Sequence, residues 1–431
     1  MKRILYALFF FTVFPAAAQE GTQQLSLSDC YTLARQNTPL ASAQKLISEG
    51  TDAGLNAIQT NRYPQINFSA RATYQSESIT IPELVPGMPT INLSKDQYKS
   101  VLDIQQIIYD GGVIHANEAL LIARSSTQLA QIEVQLDAIR QQVNEAVLSK
   151  LLMKKQLEVL ALMSGDLSEQ IAQLNQAVEN GVALPADEQK VRVALLKVKQ
   201  QQLEAQAGFD AAALTLNHLL GLREEQMILV NPEMPVIPEQ SGYENRAEMD
   251  VFSKQISALD ANIALNKSQR RPKLAAAVQG GYGRPGLNML DDSFQPWYFA
   301  GITLSWQPWD WKKTQFQNQN LEIRKRLVLN QQETFEYNLE NAKIALLTHM
   351  DALNKTLSLD DTVLDLQEDI LKSESKKLDM GLSTGTDYVS AMNDRKEALL
   401  LKETHEIQLL KTKLDYLNLL GLPEIKKDEN E

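Results

Sequence analysis

Tyr109-Asp110-Gly111-Gly112, Gly181 and Leu219-Leu220-Gly221-Leu222 form a series of anchors along the chain: an aromatic-Asp pair, a lone glycine and a Leu-Leu-Gly-Leu end. Two hundred residues on, Trp309-Asp310, Gly381 and Leu419-Leu420-Gly421-Leu422 repeat the series in the same register. Three separated anchors with one offset indicate that a whole supersecondary layout was duplicated. The period is far longer than the ~20–50 residues of a solenoid unit. Each half can therefore be read as a check on the other.

Downstream of each aromatic-Asp anchor the pattern is helical. Residues 113–180 contain no proline, and the apolar residues step by three and four: Leu129, Ile132, Leu136, Ile139, Val143 and Ala146, then Leu160, Met163, Leu167, Ile171, Leu174 and Val178. In 312–380, Leu357, Leu364, Leu371 and Leu378 recur at sevens. These are coiled-coil spacings. A helix of this length would extend about 100 Å at ~1.5 Å per residue. After turns at Gly181 and Gly381, return helices are predicted over 186–219 and 386–419.

Upstream of each anchor the period switches to two. Ile66, Phe68, Ala70, Ala72 and Tyr74 alternate with Gln65, Asn67, Ser69, Arg71 and Thr73. Tyr98, Leu102, Ile104 and Ile108 oppose Lys99, Asp103 and Gln105; the second half repeats the pattern from Leu274 to Tyr282 and from Tyr298 to Trp306. Each half thus predicts one β-hairpin, 65–109 and 273–308, with strands of about ten residues, long enough to cross a bilayer at a tilt. A helix precedes each hairpin, with Ser28 as a candidate N-cap for the first, and ends at Tyr63-Pro64 or Arg271-Pro272. Repeat two is eight residues shorter between its proline and its anchor, a difference expected in the outer loop.

The remainder of the chain narrows the class. Residues 1–18 read as a signal peptide: Lys2-Arg3, an apolar run and Ala16-Ala17-Ala18. The one cysteine, Cys30, excludes an internal disulfide and is not at the expected cleavage point, so no lipid anchor is expected. A net charge of −12 argues against a nucleic-acid partner. No apolar stretch beyond the leader is long enough for a transmembrane helix, so a membrane role would fall to strands. Trp297, Tyr298, Trp306, Trp309, Trp311, Tyr74, Tyr98 and Tyr109 gather near strand ends, as an aromatic belt would. His115, His218, His349 and His405 are scattered without ligand spacing. No catalytic, cofactor or metal residues are expected, and Gly280-Gly281-Tyr282-Gly283 lacks the Lys-Ser/Thr of a phosphate loop.

Leader, helix, hairpin, very long helix, glycine turn and shorter helix, all duplicated, resemble the TolC-like outer-membrane efflux channel proteins, the outer membrane factor family. The local marks are Arg62-Tyr63-Pro64-Gln65, Arg271-Pro272-Lys273, Tyr109-Asp110-Gly111-Gly112, the Gly181 to Asp187 and Gly381 to Asp387 turns, and both Leu-Leu-Gly-Leu ends. The resemblance implies a mainly α fold with a membrane β-barrel portion, in which a homotrimer contributes four strands per chain to a 12-stranded barrel and its coiled coils form a periplasmic α-barrel. It implies two repeats, 19–222 and 245–422, an equatorial linker at 223–244 and a charged tail at 423–431. It further implies an outer-membrane exit duct of a Gram-negative bacterium, reaching into the periplasm and serving a tripartite efflux or type I secretion system. The partners would be a periplasmic adaptor (membrane fusion protein), an inner-membrane RND or ABC transporter and outer-membrane lipid. By position, Asp387 matches a pore-ring acid, Ser390 stands where a second acid is usual, Asp394 is a substitute one turn on, and Asp187 matches a latch residue. Its usual aromatic and arginine partners fall at Leu378 and Ser383, so the latch is not kept in familiar form. Asp387 and Asp187 also read as helix-capping carboxylates. Gly181, Val182, Ala183 and Leu184, with Gly381, Leu382, Ser383 and Thr384, are the tips an adaptor would meet. The alternatives are a periplasmic coiled-coil scaffold or adaptor, which does not account for four amphipathic strands, and a secreted polysaccharide-binding or hydrolytic protein using the tryptophans, which needs a cleft with paired carboxylates that the sequence does not place.

Overall fold

The computed structural model describes residues 23–78, 80–81, 91–92, 94–223, 228–230, 232–238 and 242–422. The expected leader, the 423–431 tail and parts of the 223–244 linker lie outside these. In chain order the elements are β1 (Gln23–Gln24), α1 (Leu27–Asn37), α2 (Leu40–Gln59), β2 (Gln65–Tyr74), β3 (Thr80–Ile81), β4 (Ile91–Asn92), β5 (Asp96–Tyr109), α3 (Val113–Glu179) and α4 (Pro185–Leu220). The second half follows with β6 (Ile228–Leu229), α5 (Ala247–Ser268), β7 (Lys273–Arg284), β8 (Gln295–Ser305), α6 (Lys313–Asp379) and α7 (Gly385–Leu419). Among the described residues, no helix is long and apolar enough to cross a membrane.

Two compact units emerge, and neither coincides with a repeat. One draws on Met1–Thr38, Ala138–Gln240 and Lys343–Glu431, the other on Pro39–Asp137 and Ser241–Ala342. Each unit therefore contains elements of both halves, because a lone helix pair or hairpin cannot bury its apolar side without its duplicate.

In the first unit the core is a coiled-coil seam. Leu160, Met163, Leu167 and Leu174 of α3 meet Val191, Ala194, Val198 and Ala205 of α4, joined by Leu378 of α6 and by Tyr388 and Met392 of α7. Both Leu-Leu-Gly-Leu ends close the return helices alike. The Leu222 amide donates to Asn217 O at 2.9 Å and the Leu422 amide to Leu417 O at 3.0 Å, satisfying carbonyls the helix leaves open.

In the second unit a four-stranded antiparallel sheet has the order β2-β5-β7-β8. A small helical core of Ala116, Leu120 and Leu265, with Val113 and Ala261, packs α3 on α5.

The predicted first helix differs at both ends of its first turns. Its N-cap is Ser26 rather than Ser28: Ser26 Oγ accepts from the Asp29 amide at 3.1 Å, and the Asp29 carboxylate accepts from the Ser26 amide at 3.0 Å. The helix also breaks at Thr38-Pro39, where Thr38 takes an extended conformation (ψ 142°) and α2 starts afresh. Proline lacks the amide hydrogen and forces its predecessor out of the helical region.

Candidate functional site: an amphipathic sheet and paired helical tips

Residues paired across an antiparallel sheet share a face. One face reads Ile66-Ile104-Val278-Ala300 across the four strands, then Phe68-Leu102-Gly280-Tyr298, with Ile302 and Leu304 extending it. The other reads Asn67-Asp103-Gln279 and Gln65-Gln105, with Arg71 beside Lys99. The apolar face is uncovered in the single chain: Phe68 and Ile66 are each 68% exposed and Ile302 is 71% exposed. Strands of 10 to 14 residues suffice for a tilted crossing, which needs ~9–11. Among the described residues, both outer strands, β2 and β8, have one side without a partner in the sheet.

The aromatic residues divide. Tyr74 and Tyr98 lie at the turn end of the first hairpin, where Tyr98 and Tyr282 each stack on Phe294, centroids 6.0 and 5.8 Å apart. Tyr109, Trp306, Trp309 and Trp311 lie at the opposite end. Trp309 and Trp311 meet edge to face at 5.8 Å, and Trp306 Nε1 donates to Arg270 O at 3.2 Å. Tyr298 is in the body of the apolar face, opposite Gly280. Trp297 departs from the expected belt. It pairs with Gly281 on the polar face, and its indole fills the space a Cβ on Gly281 would need. Strand β5 also departs from strict alternation: a bulge between Ile107 and Tyr109 brings Tyr109, rather than Ile108, opposite Leu274 on the apolar face.

The aromatic-Asp anchors start the long helices. Asp110 accepts from the Gly112 amide at 2.7 Å and the Ile114 amide at 2.5 Å. Asp310 does the same for the Lys312 and Thr314 amides, at 3.1 and 3.0 Å, and accepts the Thr314 hydroxyl at 2.5 Å. These bonds, the Thr314 hydroxyl first and its amide next, hold the Asp310 carboxyl below the usual carboxylate range. Gly111 and Gly112 have φ of 75° and 85°; Trp311 and Lys312 occupy the same left-handed region at 54° and 66°. Non-glycine residues rarely adopt it.

The tips also repeat. Past α3 the Val182 amide donates to Ala177 O at 2.8 Å, and past α6 the Leu382 amide donates to Lys377 O at 2.8 Å. Thr384 caps α7: its hydroxyl accepts from the Asp387 amide, while the Asp387 carboxylate accepts from the Thr384 hydroxyl at 2.7 Å and its amide at 3.1 Å. These contacts hold the Asp387 carboxyl below its ordinary value. Asp387, Ser390 and Asp394 are exposed along one side of α7. Asp187 does not turn back onto its own helix start. Its Oδ1 accepts from the Gly385 amide at 3.0 Å, joining the first turns of α4 and α7. A Cβ on Gly385 would fall 2.8 Å from Asp187 O, so only glycine permits this approach. The Thr384-x-x-Asp387 box is visible as a sequence pattern. The Asp187–Gly385 clasp joins residues 198 apart and has no local signal. Val182, Leu184 and Leu382 are exposed, Leu382 at 75%. Among the described residues no group of three or more His, Cys, Asp or Glu is placed to hold a metal.

An exposed apolar sheet face, strands of bilayer length and duplicated long coiled coils together define the TolC-like fold. Residues 30–222 match the family model for outer membrane efflux protein. The fold is similar to that of VceC from Vibrio cholerae, with 15% identity over 93% of this chain and 97% of that one, at a TM-score of 0.67. It is similar to CmeC from Campylobacter jejuni, with 11% identity over 93% and 87%, at a TM-score of 0.64. The open state of MtrE from Neisseria gonorrhoeae gives 13% identity over 92% and 89%, at a TM-score of 0.65. No curated protein matches the sequence.

Proposed function

We propose that three copies of this chain form an outer-membrane exit duct of a tripartite efflux or type I secretion system. The observation that carries this reading is the sheet: four strands, two open edges, one exposed apolar face and one polar face. Open strand edges cannot rest in lipid, where each unmet backbone group costs several kcal/mol, so closure needs other copies. The alternation of strand directions supports this. β2 of one copy would run antiparallel to β8 of the next, and three copies give an even, 12-stranded closure. The polar face then lines the lumen, and Tyr109, Trp306, Trp309 and Trp311 serve one interfacial belt. A periplasmic scaffold leaves the apolar face without a purpose.

The tips meet a periplasmic adaptor through Val182, Leu184 and Leu382, since exposed apolar residues at a loop end call for a partner. Asp387, with Ser390 and Asp394 on the same side of α7, lines the lower mouth and favours cations there. Asp187, engaged by Gly385, acts as a clasp between the return helices. The adaptor in turn connects the duct to an inner-membrane RND or ABC transporter.

The test is fractionation and light scattering of the full-length chain. Outer-membrane recovery, a heat-sensitive band on denaturing gels and a detergent particle with three copies of the exported chain, each somewhat under 48.3 kDa, are expected. A soluble monomer would refute the duct.

A further inference from the structure

Two arginines near the sheet lack a counter-charge. Arg124 of α3 and Arg324 of α6 stand 200 residues apart, in the register of the anchors. Between 113–137 and 313–337, Arg124 is the one basic residue that recurs at this offset. The two helices flank α5. Ala116 and Leu120 of α3 pack on Ala261 and Leu265 of α5. On the other side, Lys325 Nζ of α6 lies 2.8 Å from Asp260 Oδ1, and Asn266 Nδ2 donates to Asn318 Oδ1 at 3.0 Å. Between α3 and α6, over one face of α5, runs a groove of about 540 Å³ lined by both arginines. That volume is within the ~300–1,000 Å³ of small-molecule sites.

The lining is cationic and rich in amides. Gln128 and Gln131 of α3 and Gln255 and Asn262 of α5 stand around the two guanidinium groups, and Leu259 and Val328 add an apolar wall. None of the lining residues is acidic. Among the described residues, neither arginine has a hydrogen bond or an ion pair. Two acids of the neighbouring helices are engaged elsewhere: Asp260 by Lys325, and Glu118 by Arg62 at 3.0 Å.

The side on which the groove opens follows from helix geometry. A cavity of about 480 Å³ under the polar face of the sheet joins Gln105, Ala275 and Thr303 to Asn117 of α3. From Asn117, Arg124, Gln128 and Gln131 lie 7, 11 and 14 residues on. At ~3.6 residues per turn these are about two, three and four turns, so all four share one stripe. The groove therefore faces the same side as the polar face of the sheet. It is about 16 Å from the start of α3, at ~1.5 Å per residue.

We infer that this groove is a lumenal binding site for amphiphilic organic anions: a sulfonate, phosphate or carboxylate on an apolar body. The lumenal placement rests on the duct reading above. Guanidinium forks match the geometry of such oxyanions, the amides supply further donors, and Leu259 and Val328 take the apolar body. Two arginines per chain give six around the lumen of a trimer. They form a positive band in a chain of net charge −12, which lowers the local repulsion an anionic solute meets in transit. A site in a conduit must bind weakly enough to release, and exposed arginines in an open groove meet that condition.

The test is calorimetric titration of the full-length trimer in neutral detergent with naphthalenesulfonate, subtracting the heat of detergent alone. One site per chain is expected. Arg124→Gln and Arg324→Gln should each weaken binding about tenfold, the loss of one charge-assisted contact. Neutral naphthalenesulfonamide should bind the unchanged chain at least about tenfold more weakly, which decides the matter even if a variant fails to assemble. Equal affinity for the two probes, or affinity unmoved in both arginine variants, overturns the site. In planar bilayers the sulfonate should lower the conductance of the unchanged trimer and not that of the double variant. Binding without an effect on current overturns the lumenal placement. Light scattering separates the two readings, because the groove is built by one chain. A trimer that does not bind the sulfonate overturns the site and leaves the duct standing, whereas a monomer that binds it overturns the duct and the lumenal placement and leaves the groove.

Discussion

Replacing Gly385 with alanine sets two effects of opposite sign against each other. Alanine is the better helix former, by up to ~1 kcal/mol in a helix interior and less at a first turn. Against this, the new Cβ would lie 2.8 Å from Asp187 O and 3.1 Å from Asp187 Cα, backbone atoms that cannot rotate away. Overpacking of this kind costs ~1–3 kcal/mol. Relieving it by moving α7 lengthens the 3.0 Å bond from the Gly385 amide to the Asp187 carboxylate, and bonds to charged groups contribute ~1.5–3 kcal/mol. The destabilising side wins by about 2 kcal/mol, a factor of ~30 in local opening. Hydrogen exchange followed by mass spectrometry on peptides covering 381–392 should therefore show roughly thirtyfold weaker protection. Gly165→Ala is the control: Gly165 is inside α3 with nothing within 4 Å of an added Cβ, so protection there should rise. If Gly385→Ala keeps or gains protection as Gly165→Ala does, the close approach of α4 and α7 is wrong.

Lys312→Gly should stabilise the start of α6 by about 1 kcal/mol by relieving a left-handed residue, read as a higher melting temperature in detergent; no change would mean the φ of 66° carries no strain. Asp387→Asn should lower the cation preference of the trimer in planar bilayers, and unaltered selectivity would remove Asp387 from the pore. Because the Asp387 carboxyl is held below its ordinary value, its contribution to the α7 cap is present above the usual carboxylate range. It is lost as pH falls through the lowered value, so tip protection should drop only under strongly acidic conditions. Val278→Lys, in the middle of the apolar face, should cost about 2–4 kcal/mol of membrane stability and reduce assembled protein. Asn67→Lys, on the polar face, should be tolerated; equal loss from both would contradict the assignment of faces.

What could be read from the sequence was whatever depends on period and local caps. Alternation in Gln65–Tyr74 gives a strand because every second side chain meets one environment, and the three-four steps of α3 give a coiled coil for the same reason. The aromatic-Asp pairs were legible as anchors, and their role as helix caps follows from residues within four positions. The misses share a different cause. Pro39 breaks the first helix through a single residue inside an otherwise helical composition. The bulge before Tyr109 and the turn of Trp297 toward Gly281 are decided by the neighbouring strand, which a one-chain period cannot register. The clasp between Asp187 and Gly385 depends on two helix starts brought together by packing, and a fragment of either would not contain it.

The left-handed residues at the two anchors bear on how the duplication should be recognised. At Gly111-Gly112 the backbone shape is written in the sequence; at Trp311-Lys312 the same shape occurs without the glycines that would announce it. There the Asp310 carboxylate accepts from the Lys312 and Thr314 amides, as Asp110 does from those of Gly112 and Ile114. The same backbone geometry is thus held with glycine at one anchor and without it at the other. Inheritance between the halves is better traced through hydrogen-bond acceptors and torsion angles than through identity at each aligned position.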